Sequence, residues 1–230
     1  MTSTQLVLDL KLRDSYSFNN FVVGDNGLLV GLLKQIASAQ GEQQVFIWGD
    51  KFTGKSHLLQ AVCQYAAVNK LVTSYLPLKQ LIRCSVEVLE GLERVDIVCI
   101  DDLHIVSQKF DWQRHFFDLI NRMRAADKVL IFTANLPPNE IDLELEDLRS
   151  RLNWGPVIKI KSLNDQQKKQ ALQLRAESRG FELPDNVATY ILNNFSRDMS
   201  ALYEKLEQLD QVSLEQQRRL TVPFVKQVFE

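Results

Sequence analysis

Residues 49–56 read Gly-Asp-Lys-Phe-Thr-Gly-Lys-Ser, which is the G-x-x-x-x-G-K-S pattern of a phosphate-binding loop, or P-loop. An apolar run at 45–48 precedes the loop, and apolar residues at helical spacing follow it over 58–63. This order predicts a buried strand, a glycine-rich loop and a helix, which is the context that the motif requires. The alternative, a chance glycine–lysine turn, does not explain these flanks.

The residue types of the loop indicate how it would bind phosphate. Backbone N–H groups of a concave loop point at an anion, and the start of the helix adds the positive end of its dipole. Lys55 would supply a charge for the outer phosphates, and the Ser56 hydroxyl would join the ligands of a magnesium ion. The predicted nucleotide contacts here are Gly49, Asp50, Lys51, Phe52, Thr53, Gly54, Lys55, Ser56 and His57.

Two further apolar runs end in polar residues. Residues 95–100 lead into Asp101 and Asp102, the Walker B pattern, and residues 129–134 lead into Asn135. Asp101 would hold magnesium directly or through water, and Asp102 would orient or deprotonate the attacking water. Because ligand groups gather at the carboxyl ends of parallel strands, Asn135 would touch a γ-phosphate or that water. The alternative at each position is an ordinary strand followed by a polar turn.

The composition narrows the class of protein. With 230 residues, 45% hydrophobic and 24% charged, the chain is typical of a globular protein, and its net charge of −2 gives no global attraction to nucleic acid or an anionic membrane. Cys63, Cys84 and Cys99 have no metal-like spacing, which indicates reduced cysteines. No apolar run approaches the length of a membrane span. We therefore predict a cytoplasmic protein.

The N-terminal residues allow two interpretations. Leucines alternate with other residues from Leu6 to Leu10, as in an edge strand. The same segment, Gln5 to Leu10, is also typical of a peptide that docks in extended form into an apolar groove. In the following lead-in segment, Phe18, Phe21 and Val22 form either a packed segment or a wall for a nucleotide base.

The pattern of apolar runs predicts the architecture. Runs near 45–48, 71–76, 95–100, 129–134 and 157–160 predict five strands, with amphipathic helices between them. Beyond residue 164 we expect helices at 165–179, 185–194, 199–212 and 222–229. The predicted fold is α/β: an extended tail at 1–14, a parallel five-stranded sheet flanked by helices at 15–162, and a small helical lid domain at 163–230.

In this order, the features resemble the AAA+ ATPases of the bacterial DnaA/Hda family. The lead-in at 16–24 and the turn Arg-Leu-Asn-Trp-Gly at 151–155 carry the resemblance, together with the P-loop and the paired acids. The resemblance covers nearly the whole chain and stops at 229–230, where DnaA would continue into a DNA-binding domain. It therefore implies an AAA+ core with no strong sequence-specific DNA binding.

The resemblance also implies roles for individual residues. Asn135 would be the sensor-one residue, and Arg151 would be an arginine finger that serves a neighbour's nucleotide. Ser200 stands where the family commonly has a sensor-two arginine, so Arg197 is the candidate to replace it. The implied cofactor is an adenine nucleotide, ADP or ATP, with Mg²⁺. The implied partners are DnaA and the β subunit sliding clamp of DNA polymerase, the latter bound through Gln5, Leu6, Leu8 and Leu10.

The expected function is negative regulation of replication initiation in the cytoplasm, at the replisome or nucleoid. The clamp-bound protein would stimulate hydrolysis of ATP on DnaA, with weak hydrolysis of its own nucleotide. Two alternatives remain open at this point: a self-sufficient ATPase that resembles DnaA or a helicase loader, and a non-catalytic adaptor that the nucleotide stiffens. A homodimer or head-to-tail oligomer also remains open, and no membrane association is expected.

Overall fold

The structure, a computed structural model, describes residues 16–229. Five parallel strands form one sheet in the order β2-β3-β4-β1-β5. This arrangement confirms the predicted fold class. The strands are β1 (Gln44–Trp48), β2 (Thr73–Pro77), β3 (Ile97–Asp101), β4 (Val129–Ala134) and β5 (Val157–Lys159).

Helices cover both faces of this sheet, because the strands are apolar on both sides. Phe46 and Phe132 pack into a core cluster on one face with Trp112 and Phe116. Their strand neighbours Val45, Ile47 and Ile131 pack on the other face with residues of the two helices at the start of the chain. The helices of this part are α1 (Gly27–Ile36), α2 (Lys55–Val68), α3 (Leu78–Leu81), α4 (Phe110–Ala125) and α5 (Glu146–Leu152).

Four helices after the sheet form the lid around a third core cluster, which includes Leu172, Leu202, Leu206 and Phe224. They are α6 (Asp165–Ser178), α7 (Asp185–Asn194), α8 (Met199–Gln216) and α9 (Val222–Phe229). Helix α8 runs four residues beyond the predicted end at 212 and is followed by a left-handed Gln217. The prediction ends at 212 because the apolar spacing that defines it ends at Val212. The predicted division at residue 162 stays a prediction.

Strand β2 begins at Thr73 rather than at the predicted residue 71. The backbone N–H of Val72 instead donates to the Asp96 carboxylate at 2.8 Å, outside the strand ladder. The predicted tail at 1–14, with Gln5, Leu6, Leu8 and Leu10, lies outside the described residues. Within 16–229, no helix is both long enough and apolar enough to cross a bilayer.

The strand order decides where the candidate site forms. Strands β3, β4 and β1 are consecutive in the sheet, and all run in one direction. Their carboxyl ends therefore bring the paired acids, Asn135 and the P-loop to one edge of the sheet.

Candidate functional site

The P-loop has a backbone that requires its two glycines. Gly49 and Gly54 adopt φ values of +154° and +97°. A methyl group at Gly54 would lie 2.7 Å from Cε2 of Phe21, and one at Gly49 would lie 2.7 Å from Cγ2 of Ile160. Helix α2 begins directly after Gly54, so its first N–H groups have no acceptor within the helix. The loop thus forms a tight cradle that donates hydrogen bonds to an anion.

Lys55 lies inside this cradle. Its ammonium donates to the carbonyl oxygens of Gly49 and Asp50, each at 2.7 Å, and the residue is buried. Burial lowers the pKa of Lys55, while the carboxylates of Asp102 and Asp101 act in the opposite direction. A desolvated ammonium held among carbonyl groups suits a phosphate, because the anion would replace the lost hydration.

His57 lies in the first turn of α2 and connects the P-loop helix to the lead-in segment. Its Nε2 donates to the carbonyl oxygen of Ser17 at 2.8 Å. The ring stacks on Tyr16 at 4.7 Å and meets the edge of Phe21 at 5.3 Å, both measured between ring centroids. Burial lowers the pKa of His57, so the ring is neutral at pH 7. His57 therefore contributes to the shape of the site rather than to its charge.

The three residues expected to contact a base have different environments. Phe18 is buried and packs edge-on against Tyr65, with a centroid distance of 5.7 Å. Phe21 is half-buried against Gly54 of the loop. Val22 packs against the core of the lid. Phe21 and Val22 therefore lie where the P-loop and the lid approach each other, whereas Phe18 belongs to the core.

The first acid of the Walker B pair is held by two hydroxyl groups. Thr133 Oγ1 donates to one carboxylate oxygen of Asp101 at 2.5 Å, and the Tyr75 hydroxyl donates to the other at 2.8 Å. Burial and the Asp101 carboxylate raise the pKa of Tyr75, so this phenol remains a donor. Asp101 is therefore oriented by β2 and β4, the strands on either side of its own.

The second acid has an unusual backbone and an ion pair. Asp102 adopts φ +62°, in the left-handed region, and its N–H donates to Thr133 Oγ1 at 3.0 Å. Its carboxylate meets the ammonium of Lys79 at 2.6 Å. The side chain of Lys79 is 66% exposed and that of Asp102 only 10% exposed, so an exposed cation caps an otherwise enclosed carboxylate. The Asp102 carboxylate therefore has a cationic partner in this structure.

Asn135, at the end of β4, contacts His104. Its amide nitrogen lies 2.9 Å from His104 Nε2, and its backbone N–H donates to His104 Nδ1 at 3.4 Å. Burial lowers the pKa of His104, whereas Asp102 acts to raise it. His104 is therefore neutral at pH 7 and links Asn135 to the neighbourhood of the acid pair.

Ser56 and Asp101 are the predicted magnesium ligands. No group of three or more His, Cys, Asp or Glu side chains within 16–229 is arranged to hold a metal ion. Magnesium that arrives with a nucleotide needs only one or two protein oxygens, because phosphates and water supply the rest. A hydroxyl at the start of α2 and a carboxylate oriented by two donors fit that requirement.

Arg151 lies at the opposite end of the sheet from the P-loop. Its carbonyl oxygen accepts a hydrogen bond from the Gln44 side chain at 2.7 Å, at the first residue of β1, whereas the P-loop follows the last. A strand rises about 3.3 Å per residue, so the two ends of β1 are about 13 Å apart. The guanidinium of Arg151 stacks on Trp154, with Cζ 3.8 Å from the ring centroid, and lies 5.4 Å from the Phe117 ring.

Arg149, two residues earlier, turns inward. Its guanidinium donates to the carbonyl oxygen of Leu143 and to Glu146, each at 2.8 Å. Arg151 is half-buried and forms no ion pair among the described residues. Its Nε is also buried without a hydrogen-bond partner. Arg151 is therefore the arginine of α5 whose charge remains available to a partner.

The predicted substitute for a sensor-two arginine has another partner in this structure. Arg197 pairs with Asp165 at the start of α6, at 2.9 Å, and its side chain is largely exposed. Another lid arginine approaches the nucleotide end of the molecule. Arg175 of α6 lies over the Tyr16 ring, with Cζ 5.5 Å from the centroid, and Tyr16 in turn stacks on His57.

Sequence reasoning missed Lys79, His104, Tyr75 and Arg175. Lys79 follows β2, and the register pairs Pro77 with Asp101, which brings Lys79 beside Asp102. Tyr75 belongs to a predicted strand, but only the pairing of β2 with β3 places it close enough to donate to Asp101. Nothing in the local pattern around Lys79 or Arg175 indicates these contacts, because they arise where distant segments meet.

Comparisons with known proteins agree with this fold. A family model described as the bacterial DnaA ATPase domain matches residues 12–159, and one described as the Hda lid domain matches residues 165–229. Domain III of the Thermotoga maritima replication initiation protein DnaA is 22% identical, with a TM-score of 0.85 over 95% of this chain and 97% of that one. AMPPCP-bound DnaA from Aquifex aeolicus is 24% identical, with a TM-score of 0.73 over 89% of this chain and 68% of that one. At these identities the structural likeness shows the fold.

Proposed function

Because the chain belongs to the bacterial DnaA ATPase-domain family and carries a lid that matches the Hda lid model, we propose that it is a negative regulator of replication initiation. In this proposal the protein binds an adenine nucleotide at its own P-loop and docks on ATP-loaded DnaA. It then supplies Arg151 to the nucleotide of DnaA and so stimulates hydrolysis there.

The observation that carries the proposal is the position of Arg151. The guanidinium stacks on Trp154 at the end of the sheet opposite the P-loop, without an ion-pair partner among residues 16–229. It cannot serve the nucleotide of its own P-loop from there. A head-to-tail contact would instead bring it against the nucleotide of a neighbour, since such a contact joins opposite ends of two related molecules.

The chemistry of such a contact is electrostatic. During phosphoryl transfer, negative charge is spread over the γ-phosphate oxygens, and a guanidinium added at that moment stabilises it. Arginine fingers raise hydrolysis rates about 10³- to 10⁵-fold. Arginine suits this role better than lysine, because its planar group forms two parallel hydrogen bonds with a phosphate.

The decisive experiment replaces Arg151. We expect Arg151→Ala to lower stimulated hydrolysis of DnaA-bound ATP about 10³-fold, because the charge on the transferring group is no longer neutralised. Turnover is measured with DnaA, the sliding clamp and this protein. Arg114→Ala is the matched control, since Arg114 is an exposed arginine on α4. Full stimulation by the Arg151 variant would refute the finger role, and continued inhibition of DnaA without hydrolysis would favour the adaptor alternative.

The nucleotide of the protein itself is proposed to be ADP or ATP with Mg²⁺. The DnaA structure from Aquifex aeolicus carries AMPPCP, which supports an adenine nucleotide here. Lys55 would bind the outer phosphates, and Ser56 and Asp101 would hold the magnesium ion, which neutralises phosphate charge. The ion pair of Lys79 with Asp102 supports weak hydrolysis of this nucleotide, because the carboxylate that would activate water is already engaged.

Clamp docking is proposed for the N-terminal segment. The alternation of Gln5, Leu6, Leu8 and Leu10 supports an extended peptide that fills an apolar groove, and a cytoplasmic location at the replisome follows from it. Deleting residues 1–14 is expected to abolish clamp binding in a pull-down while nucleotide binding by the remaining chain is retained. If the shortened protein still bound the clamp, the segment would not be the docking peptide.

A further inference from the structure

We propose that Arg124 is a second cationic residue of the finger site, held beside Arg151 by the indole of Trp154, and that it contacts the phosphates of the partner's nucleotide. This inference rests on the proposed function. It would make the finger site a pair of guanidinium groups on one aromatic ring rather than a single arginine.

The geometry starts with Trp154. Cζ of Arg124 lies 4.1 Å from the centroid of the indole, and Cζ of Arg151 lies 3.8 Å from it. Both guanidinium groups therefore lie against the same indole. The distance between the two guanidinium carbons therefore cannot exceed the sum of their distances from the indole centroid. That spacing allows both groups to reach different oxygens of one triphosphate.

Three cations near this stack have ion-pair partners. Lys128 pairs with Asp96 at 2.8 Å, Arg122 with Glu93 at 3.3 Å, and Arg149 with Glu146 at 2.8 Å. Within the described part of the chain, neither Arg124 nor Arg151 has a carboxylate within ion-pair distance. Two unneutralised guanidinium groups on one ring repel each other, so an anion that binds both would relieve this repulsion.

Space for an anion lies next to this stack. A cavity of about 520 Å³ is lined by Arg124, Lys128, Trp154, Gly155 and Glu42, among others. Two acids are close: Glu42 lines the cavity, and Asp127 accepts a hydrogen bond from Gln43 at 3.2 Å. Trp154 itself is 39% exposed, so the stack is accessible from solvent. Arg124 and Lys128 line this open cavity, which lies beside Gln44 at the start of β1. Arg151 is not among its lining residues and adjoins it through Trp154.

The competing interpretation is that Arg124 only covers the indole and contributes packing. The two interpretations differ in whether the charge matters during hydrolysis. Arg124→Leu removes the charge but keeps an apolar stem over the ring, and Arg124→Lys keeps the charge but loses the planar stack. Arg114→Leu, on the same helix, is the matched control because Arg114 is exposed at a separate position of α4.

The experiment measures hydrolysis of DnaA-bound ATP in the presence of the clamp, as a function of the concentration of each variant. We expect Arg124→Leu to lower the rate at saturation about tenfold, as for the loss of one charged hydrogen bond in the transition state. We expect Arg124→Lys to retain more of this rate than Arg124→Leu. Nucleotide binding by the P-loop and the thermal unfolding midpoint serve as checks that each variant is folded.

Two results would overturn the inference. In the first, Arg124→Leu stimulates as well as the unchanged protein at every concentration. In the second, only the concentration for half-maximal stimulation rises, which would make Arg124 a docking contact. Arg151→Ala is measured alongside: if that variant retains stimulation, the proposed function itself fails, whereas loss there with a normal Arg124→Leu variant refutes only this inference.

Discussion

Thr133 is the residue on which the acid pair depends. Its hydroxyl donates to Asp101 and accepts the backbone N–H of Asp102, so one buried side chain fixes both acids. The left-handed backbone of Asp102 turns the second carboxylate away from the strand, toward Lys79. The two hydroxyl groups that orient Asp101 therefore come from the neighbouring strands.

The ion pair between Lys79 and Asp102 leads to a prediction about the protein's own nucleotide. We expect Lys79→Met to raise intrinsic hydrolysis, because Asp102 is then free to activate water. Lys79 is mostly exposed, so the pair is worth at most about 1 kcal/mol, which corresponds to about a fivefold change in rate. The measurement is single-turnover hydrolysis by the purified protein with Mg²⁺.

Two controls make this prediction specific. Lys128→Met breaks a comparable ion pair with Asp96 at the other end of the sheet and should leave the rate unchanged. Adding Asp102→Asn to Lys79→Met should cancel the gain, because no carboxylate remains to be freed. A rise in rate that persisted in this double variant would show that Lys79 acts on something other than Asp102.

At the level of elements, the strands could be predicted from sequence, and several of the contacts between them could not. The central strands β1, β3 and β4 are apolar runs because the middle of a parallel sheet is buried on both faces, so Val45 to Trp48 and Ile97 to Ile100 stand out locally. Asp101, Asp102 and Asn135 stand out as polar residues at strand ends. The contact of Lys79 with Asp102 depends on the register of β2 against β3, which neither strand specifies alone.

The same reason applies to the proposed finger site. The motif at 151–155 identifies Arg151, but the approach of Arg124 to Trp154 requires that the end of α4 pack beside the turn after α5. Of the two interpretations of Phe18, a packed segment or a wall for a base, its burial against Tyr65 favours the first, and a role beside a base stays a prediction. Local patterns predict elements, whereas tertiary packing decides which side chains meet.

The turn between α5 and β5 gives a prediction about stability. A methyl group at Gly155 would lie 1.9 Å from the carbonyl oxygen of Gln44, on the backbone of β1. We expect Gly155→Ala to push β5 from β1 and to lower the free energy of unfolding by about 1–3 kcal/mol, the usual cost of overpacking. Urea denaturation provides the measurement.

Gly31 provides the contrasting substitution. It lies inside α1, is exposed, and has no heavy atom within 4 Å of an added methyl group. Gly31→Ala should therefore stabilise the protein by up to about 1 kcal/mol, because alanine is the better helix former. Equal effects of the two substitutions would mean that the approach of Gly155 to β1 does not constrain the turn.

On the scale of the whole molecule, the proposed nucleotide site and the proposed finger site lie at opposite ends of the sheet. The P-loop, the acids and Asn135 lie at the carboxyl ends of the strands, and Arg151 and Trp154 lie near the start of β1. A change at one end should thus leave the other intact, which is what the paired experiments on Lys79 and Arg151 require. The lid is the exception, since it reaches back to the nucleotide end.

The lid contacts that end through a stack of side chains. His57 of the P-loop helix stacks on Tyr16, and Arg175 of α6 lies over the same tyrosine and within 3.9 Å of Glu207 on α8. Gln167 of α6 also lies beside Gly24 at the end of the lead-in. The lid therefore contacts the lead-in segment and, through Tyr16, adjoins the helix that follows the P-loop.

We expect Arg175→Leu to weaken nucleotide binding about fivefold to tenfold, since loss of a partly buried cation–π contact of about 1 kcal/mol or more lets the lid move away from α2. Isothermal titration with ADP and Mg²⁺ measures this directly. Lys205→Leu is the matched control, because Lys205 lies over Phe195 and Phe229 at 4.2 and 4.0 Å, entirely within the lid. If both variants weakened binding equally, the lid would act through its own stability; if neither did, the stack on Tyr16 would not transmit lid position to the P-loop.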